Sequence, residues 1–337
     1  MTPNAPGVSV AIVGAASELG REVQETLDRR GVVVADWRLY DTTGEGEESD
    51  VSSLPVELLP LDAVDLDGVD LLFFCAPAEA AREWADRGRE AGALVIDLSH
   101  GLADEVATLI VPEVNADAVG EAIGRGVFAC PVPGATALAV ILKPLDETST
   151  LRRVVVTALE PASYLGTAGV DELATQSRQL LTGQSVEPTV FPQRIAYNLL
   201  PRVGDDMPGG RTRGEWAIET QTRRLLGLPD LPLAVTSVHV PTFYGQGYVV
   251  YAETERPLDA AIAIELLRAA PGILLTEADS APTLADVVGS EAVQIGRLRD
   301  DPTVPYGVAL WATIDGLRKG AAVNAVQIAE RALRERG

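Results

Sequence analysis

The run Val8-Ser-Val-Ala-Ile-Val-Gly14, followed almost at once by Glu18 to Arg30, constrains the fold more than any other stretch of the chain. The first is a short apolar segment closed by glycine, the pattern of a buried strand. The second carries Leu19, Val23 and Leu27 four residues apart, which places them on one helix face. The pattern then repeats. Val32 to Leu39 reads as a second strand, Val69 to Ala76 as a third, Ala78 to Ala91 as a helix, and Ala93 to Leu98 and Val127 to Cys130 as further strands. Strands that are apolar on both faces and alternate with helices build a parallel sheet from βαβ units. The first part of the chain is therefore expected to be a doubly wound α/β domain. Asp41 to Ser53, acidic and rich in Gly and Ser, is expected to be a loop.

After Pro133 the texture changes. Ala135 to Leu142 reads as a helix that Lys143-Pro144 ends. Leu151 to Ala158, Leu233 to Val240 and Gly247 to Glu253 alternate or carry β-branched residues, as strands of a mixed sheet do. Helices over Val170 to Thr182, Gly214 to Leu226 and Leu258 to Ala269 interrupt them, giving an α+β second domain. Ile314 to Glu335 reads as one long final helix. At 337 residues, two domains suit the length.

The turn between the first strand and the first helix, Gly14-Ala-Ala-Ser-Glu-Leu-Gly20, lies where a Rossmann-like domain presents backbone N–H groups to a pyrophosphate. The candidate cofactor contacts there are Gly14, Ala16, Ser17 and Leu19, with Asp41 at the end of the second strand. Ser17 stands where a middle glycine would let a phosphate approach, and it can cap the helix instead. Glu18 sets a carboxylate at the helix N-terminus, where it competes with an anionic ligand.

The net charge, 27 Lys and Arg against 49 Asp and Glu, is −22. A field of that sign repels nucleic acid and anionic membrane surfaces, so neither is expected as a partner. No apolar run is long enough to span a bilayer, and Met1 to Gly7 lacks the basic start of a signal peptide. Two cysteines, Cys75 and Cys130, both within apolar segments, suit a reducing cytoplasm and no disulfide framework. Two histidines, His100 and His239, are too few for a metal cluster, and no metal site is expected.

Several segments resemble the aspartate-semialdehyde dehydrogenase family. They are Val10-Ala-Ile-Val-Gly-Ala15, Val111-Pro-Glu-Val-Asn115, Lys143-Pro-Leu145, Gly169-Val-Asp-Glu-Leu-Ala174, Phe191-Pro-Gln-Arg-Ile-Ala-Tyr-Asn198, Pro241-Thr-Phe-Tyr-Gly245 and Leu317-Arg-Lys-Gly-Ala-Ala-Val-Asn-Ala-Val-Gln-Ile-Ala329. The last is similar to the family's closing helix, and all seven fall in the family's order. The resemblance implies a Rossmann-like NAD(P)-binding domain over residues 1–133 and 318–337. It implies an α+β dimerisation domain with a mixed sheet over residues 134–317, and a homodimer. The family reaction is reductive dephosphorylation of aspartyl phosphate by NADPH, which needs a thiolate nucleophile, a general base and cations for carboxylate and phosphate.

Carried over position by position, those groups are replaced. The nucleophile lies ten residues before the lysine of K-P-L, here Lys143, and that position is Pro133. The base follows the glycine at 245 and is Gln246; the substrate-binding arginine falls on His239. The phosphate-side arginine falls on Ala103, the lysine of the family's E-x-K helix on Ala217, and the glutamine of its Y-Q-A loop on Glu160. Asn324 matches the family's asparagine or glutamine near the nicotinamide. The segment Tyr40-Asp-Thr-Thr-Gly-Glu-Gly-Glu-Glu48 is acidic where NADP enzymes often set a basic or hydroxyl side chain, so NAD is expected ahead of NADP, or no cofactor at all. The reading is an inactive homologue with a binding, regulatory or partnering role. Its rivals are an active NAD(P)-dependent enzyme using a nucleophile such as Cys130, and a heterodimeric partner of an active paralogue.

Overall fold

A computed structural model describes residues 7–41, 48–51, 54–102, 106–277 and 280–336, with side chains assigned outside 42–55. Its elements are strands β1 (Val8–Val13), β2 (Val34–Asp41), β3 (Glu48–Val51), β4 (Leu54–Pro60), β5 (Leu71–Phe74), β6 (Leu94–Asp97), β7 (Thr108–Leu109) and β8 (Val127–Ala129), with helices α1 (Glu18–Arg29), α2 (Ala78–Glu90), α3 (Pro112–Asn115) and α4 (Asp117–Ala122). Then come α5 (Pro133–Ser149), β9 (Leu151–Glu160), α6 (Gly166–Leu181), the short pair β10 (Asp206–Met207) and β11 (Arg211–Thr212), α7 (Arg213–Leu226), β12 (Leu233–His239), β13 (Gln246–Thr254), α8 (Ala260–Ala269), β14 (Ile273–Leu275), β15 (Val293–Asp300), β16 (Gly307–Ile314) and α9 (Val323–Arg336). They form two compact units, residues 1–131 with 321–337, and residues 132–320.

The first unit holds an eight-stranded sheet in the order β3-β4-β2-β1-β5-β6-β8-β7. Every pairing is parallel except β3 with β4. The chain order reverses direction across β1, and a parallel sheet leaves its ligand crevice at such a switch point. Val10, Ile12, Leu71, Phe73 and Ile96 are fully buried, as strands covered on both faces must be. Helix α9 returns to this unit, and the Arg30 guanidinium forks onto Glu330 at 2.9 and 2.8 Å.

The second unit is built on a mixed sheet, β12-β9-β13-β16-β15-β14. β12 runs parallel to β9 and β14 to β15, and the other neighbours are antiparallel. Helix α7 starts from a capping box, with Thr212 accepting from the Glu215 amide and the Glu215 carboxylate accepting from the Thr212 amide. It stops at Gly227, whose φ of +71° suits a glycine C-cap.

Four expectations need correction. Helix α5 does not end at Lys143-Pro144 but continues to Ser149. An interior proline costs about 3 kcal/mol of helix stability, and the final turns offset it by burying Leu145 and Ser149 completely or nearly so. The final helix does not start at Ile314. That residue ends β16, and a π-helical turn, Arg318–Ala322, precedes α9. β16 is buried along nearly its whole length, so its apolar run lacks the two-residue period of a strand. The acidic stretch after Asp41 is not wholly loop, because Glu48–Val51 pairs antiparallel with β4 as an edge strand. Finally, β2 reaches Asp41 rather than Leu39, which carries that carboxylate to the crevice.

Candidate functional site

In the first unit the site is the turn between β1 and α1. Gly14 has φ +86°, and a Cβ there would lie 2.6 Å from the Cys75 backbone, so only glycine lets the turn pass this close to the end of β5. A Cβ on Gly20 would come within 2.2 Å of the Gly14 carbonyl oxygen, which fixes the second glycine by packing. Ser17 caps the helix as its position suggests. Its Oγ accepts from the Gly20 amide at 2.9 Å and donates to the Gly14 carbonyl at 2.7 Å.

Most amides of the turn are already engaged. Those of Gly14 and Ala15 donate to the Tyr40 carbonyl, that of Ser17 to the Gly14 carbonyl, and that of Ala16 to Asp41 Oδ2 at 2.8 Å. Beside the turn is a cavity of about 560 Å³. Gly14, Ala16, Ser17 and Asp41 line it, together with Leu61, Asp62, Ala76, Pro77, Glu79, Glu83 and Trp84. Leu19 and Asn324 do not. Leu19 packs half-buried against the core, and Asn324 is fully buried with its amide nitrogen donating to the Ile110 carbonyl at 2.9 Å. Asn324 also lies 3.6 Å from Cys130 Sγ, while its own Oδ1 has no partner. Cys130 is 1% exposed within the hydrophobic core. Burial also pushes the Cys75 thiol far above its ordinary range. His100 is an exposed residue of the loop after β6, with Nδ1 3.2 Å from the Cys130 carbonyl.

In the second unit a polar cluster forms where β9, β12 and β13 run together. The antiparallel register opposes Gly247 to Leu159 and so brings Gln246 beside Glu160. Gln246 Nε2 donates to Glu160 Oε2 at 2.6 Å, and the Tyr248 hydroxyl donates to Gln246 Oε1 at 3.3 Å. All three side chains are buried. Desolvation raises the Glu160 carboxyl to about 7 against the opposing pull of Gln246. Burial, with Glu160 nearby, also holds Tyr248 in its protonated form.

Gly316 packs on the Gln246 amide so closely that a Cβ would be 2.7 Å from Oε1. Pro133 is the first residue of α5 and packs against Gly320. Ala217 is a half-buried residue of α7, next to Ile218, which packs on Gly134. Ala103 lies outside the described residues.

His239 is paired in register with Glu160 and lies edge-on to the rings of Tyr164 and Phe191, with centroids at 5.4 and 5.3 Å. The Glu160 backbone holds one side of its ring, and Nδ1 has no partner. Burial lowers its pKa, so it is neutral at pH 7. The sequence reading passed over Tyr248, although its spacing of two from Gln246 on a strand places both on one face. Lys319, fully buried within the π-helical turn, was passed over too. Among the described residues, no group of three or more His, Cys, Asp or Glu side chains is arranged to hold a metal ion. No helix among them is long and apolar enough to cross a membrane.

The model of the semialdehyde dehydrogenase NAD binding domain matches residues 9–122, and that of the semialdehyde dehydrogenase dimerisation domain matches residues 142–319. Aspartate-semialdehyde dehydrogenase 2 of Vibrio cholerae is 35% identical over 330 residues, covering 97% of this chain and 98% of that one. The chain belongs to the aspartate-semialdehyde dehydrogenase family. A USG-1 protein homolog of Azotobacter vinelandii is 33% identical over 332 residues, covering 98% and 99% of the two chains. The crystal structure of aspartate semialdehyde dehydrogenase II from Vibrio cholerae matches with a TM-score of 0.95 at 35% identity, covering 98% and 99%.

Membership in this family brings NAD(P) into question, and the described lining tests it. Asp41 is a fixed carboxylate on the cavity wall, and Asp62, Glu79 and Glu83 stand with it. No Lys, Arg or His is among the described lining residues. Such a wall accepts ribose hydroxyls and does not fit a 2′-phosphate.

Proposed function

We propose that this protein is a member of the aspartate-semialdehyde dehydrogenase family that does not catalyse the family reaction and serves instead as a binding or regulatory partner. The observation that carries this reading is the Glu160–Gln246–Tyr248 network beside α5. In the family register it takes the place of a working acid–base pair. Pro133 offers no nucleophile at the first position of α5. The Gln246 amide has no proton-transfer pKa near neutrality, and it is committed to Glu160. His239, neutral and enclosed by Tyr164 and Phe191, supplies neither the charge nor the fork that an arginine gives a substrate carboxylate. Cys130 is a poor substitute nucleophile, since a buried thiol in apolar surroundings is inert.

The partnering role rests on the second unit. Val155, Thr157 and Leu159 of β9 and Val249 of β13 are half-buried, with Tyr251 exposed beside them, on the face of the sheet opposite its core. A second copy covering that face suits the family's dimerisation domain, so we take the protein to be a homodimer and a heterodimer with an active paralogue to be the rival assembly. We place its domain boundaries near residues 133 and 318, and its setting in the cytoplasm, where two buried cysteines outside any disulfide stay reduced.

The test is turnover. Purified protein given aspartate semialdehyde, phosphate and NAD or NADP is expected to match a heat-inactivated control. Turnover that disappears in Cys130→Ser would sink the reading and restore the active enzyme with a displaced nucleophile.

A further inference from the structure

The cavity beside the Gly14–Gly20 turn disagrees with the ligand that the fold family would put there. We propose that it is a site for an uncharged ribonucleoside, an aromatic base with a free ribose diol and no phosphate, rather than for a pyridine dinucleotide.

Three observations converge on that class. The first is the use of the turn's donors. A dinucleotide needs backbone N–H groups at this turn for its pyrophosphate. Here the amides of Gly14, Ala15, Ala16, Ser17 and Gly20 all donate within the chain. The Ala16 amide in particular is held by the carboxylate of Asp41, so a pyrophosphate would have to displace an anion already in place.

The second is charge. Asp41 is half-buried on the cavity wall, where its charge is poorly screened, and Asp62, Glu79 and Glu83 add weaker exposed charges. No cation of α2 lines the cavity, and Arg82 offsets only Glu79 on its wall. Arg82 reaches the Gly101 carbonyl and Glu79, and Arg87 lies 4.1 Å from the centre of the Trp84 ring.

The third is shape and polarity. Leu61, Ala76, Pro77 and Trp84 give an apolar wall, and the volume of about 560 Å³ is within the range that holds small organic ligands. A planar base suits that wall. A carboxylate fixed by a backbone amide is the group that takes a vicinal diol.

This site lies in the first unit and the Glu160–Gln246 cluster in the second, and the titration reads binding alone, so absence of turnover bears on the catalytic reading without deciding this one. The experiment is calorimetric titration of the full-length protein with adenosine, NAD and NADP at low salt, repeated with Asp41→Asn. That variant keeps an oxygen for the Ala16 amide and removes the charge. Adenosine is expected to bind at least as tightly as NAD, and NADP to bind weakest, by about tenfold or more. In Asp41→Asn the disadvantage of NADP should shrink severalfold, and adenosine should weaken as its charged acceptor is lost. The proposal is overturned by NAD or NADP binding more tightly than adenosine, by an unchanged disadvantage of NADP in Asp41→Asn, or by no saturable adenosine binding up to millimolar concentration.

Discussion

Replacing Glu160 by Gln should make the protein more stable at neutral and alkaline pH and leave it nearly unchanged in acid. Glu160 is 2% exposed, and its carboxyl ionises at about 7 in the folded chain against an ordinary value of 4.5. Desolvation is the main cause, with the hydrogen bond from Gln246 opposing it. Between those two pH values the folded chain holds a proton that the unfolded chain has lost. Stability from this group is therefore complete below pH 4.5 and lost as pH rises to about 7. Each pH unit of that interval is worth about 1.4 kcal/mol, so the full loss is about 3 kcal/mol. The Gln side chain copies the shape of the protonated acid and still accepts from Gln246 Nε2, but it cannot ionise. For a unit of this size about 3 kcal/mol corresponds to roughly 6–12 °C in melting midpoint. The assay is thermal and urea unfolding of both proteins at intervals from pH 4 to 8.5, read as a difference curve. Subtraction removes His239, whose lowered pKa acts in the opposite direction and destabilises in acid. A difference curve that is flat from pH 4.5 to 8 would refute the argument, because it would mean that the buried carboxyl is solvated in the native protein.

Other expectations follow from the same geometry. Gly14→Ala forces a Cβ to within 2.6 Å of the Cys75 backbone at a φ of +86°, so it should cost about 3 kcal/mol or more, seen as loss of soluble protein or a much lower urea midpoint. His239→Phe should flatten the acid limb of the stability profile below pH 6.5, where the unfolded chain gains a proton that the buried imidazole resists; an unchanged limb would place the titration elsewhere. A homodimer built on the second unit should give twice the chain mass by light scattering at micromolar concentration, and a monomer mass would exclude it. Restoring Pro133→Cys together with Gln246→His should not restore turnover, because His239, Ala217 and Glu160 still lack the family's side chains; recovered activity would show that those positions matter little.

The alternating part of the chain was legible because burial on both faces leaves a plain signature. β5 is apolar from end to end, β1 and β6 carry one polar residue each, Ser9 and Asp97, and all three lie within two residues of their expected bounds. The second unit was less so. β16 is nearly as apolar as a buried helix, and the turn dipeptide that closes it, Asp315-Gly316, lies inside the stretch whose small and aliphatic residues suggest one long helix. Pro144 misled because burial of the next turn outweighs the local preference to stop. The identities at Pro133, Gln246 and His239 could be read by counting from Lys143 and Gly245, but their contacts could not. Glu160 and Gln246 are 86 residues apart in sequence, and only the β9–β13 register brings them together. In the first unit, the extra two residues of β2 decided the character of the turn, by bringing Asp41 within hydrogen-bond reach of Ala16.

Pro133, His239 and Gln246, the positions on which the proposed reading rests, have a common physical character. Proline suits the first residue of a helix, where its fixed φ is already helical and its missing N–H is not needed. Gln246 is uncharged and hydrogen-bonded to Glu160, so its own burial costs little, whereas Glu160 costs stability as pH rises to about 7. Neutral His239 between two aromatic rings avoids burying a guidinium-type charge in that niche. A site that must hold a thiolate, an imidazole and two anion-binding cations gathers charge and unsatisfied polar groups, and folding has to overcome both. On the proposed reading, Pro133, His239 and Gln246 relieve part of that load, whereas Glu160 adds to it as pH rises above 4.5; the glycines at 14, 20, 245 and 316 are held by packing, because backbone or a neighbouring side chain lies too close for any Cβ.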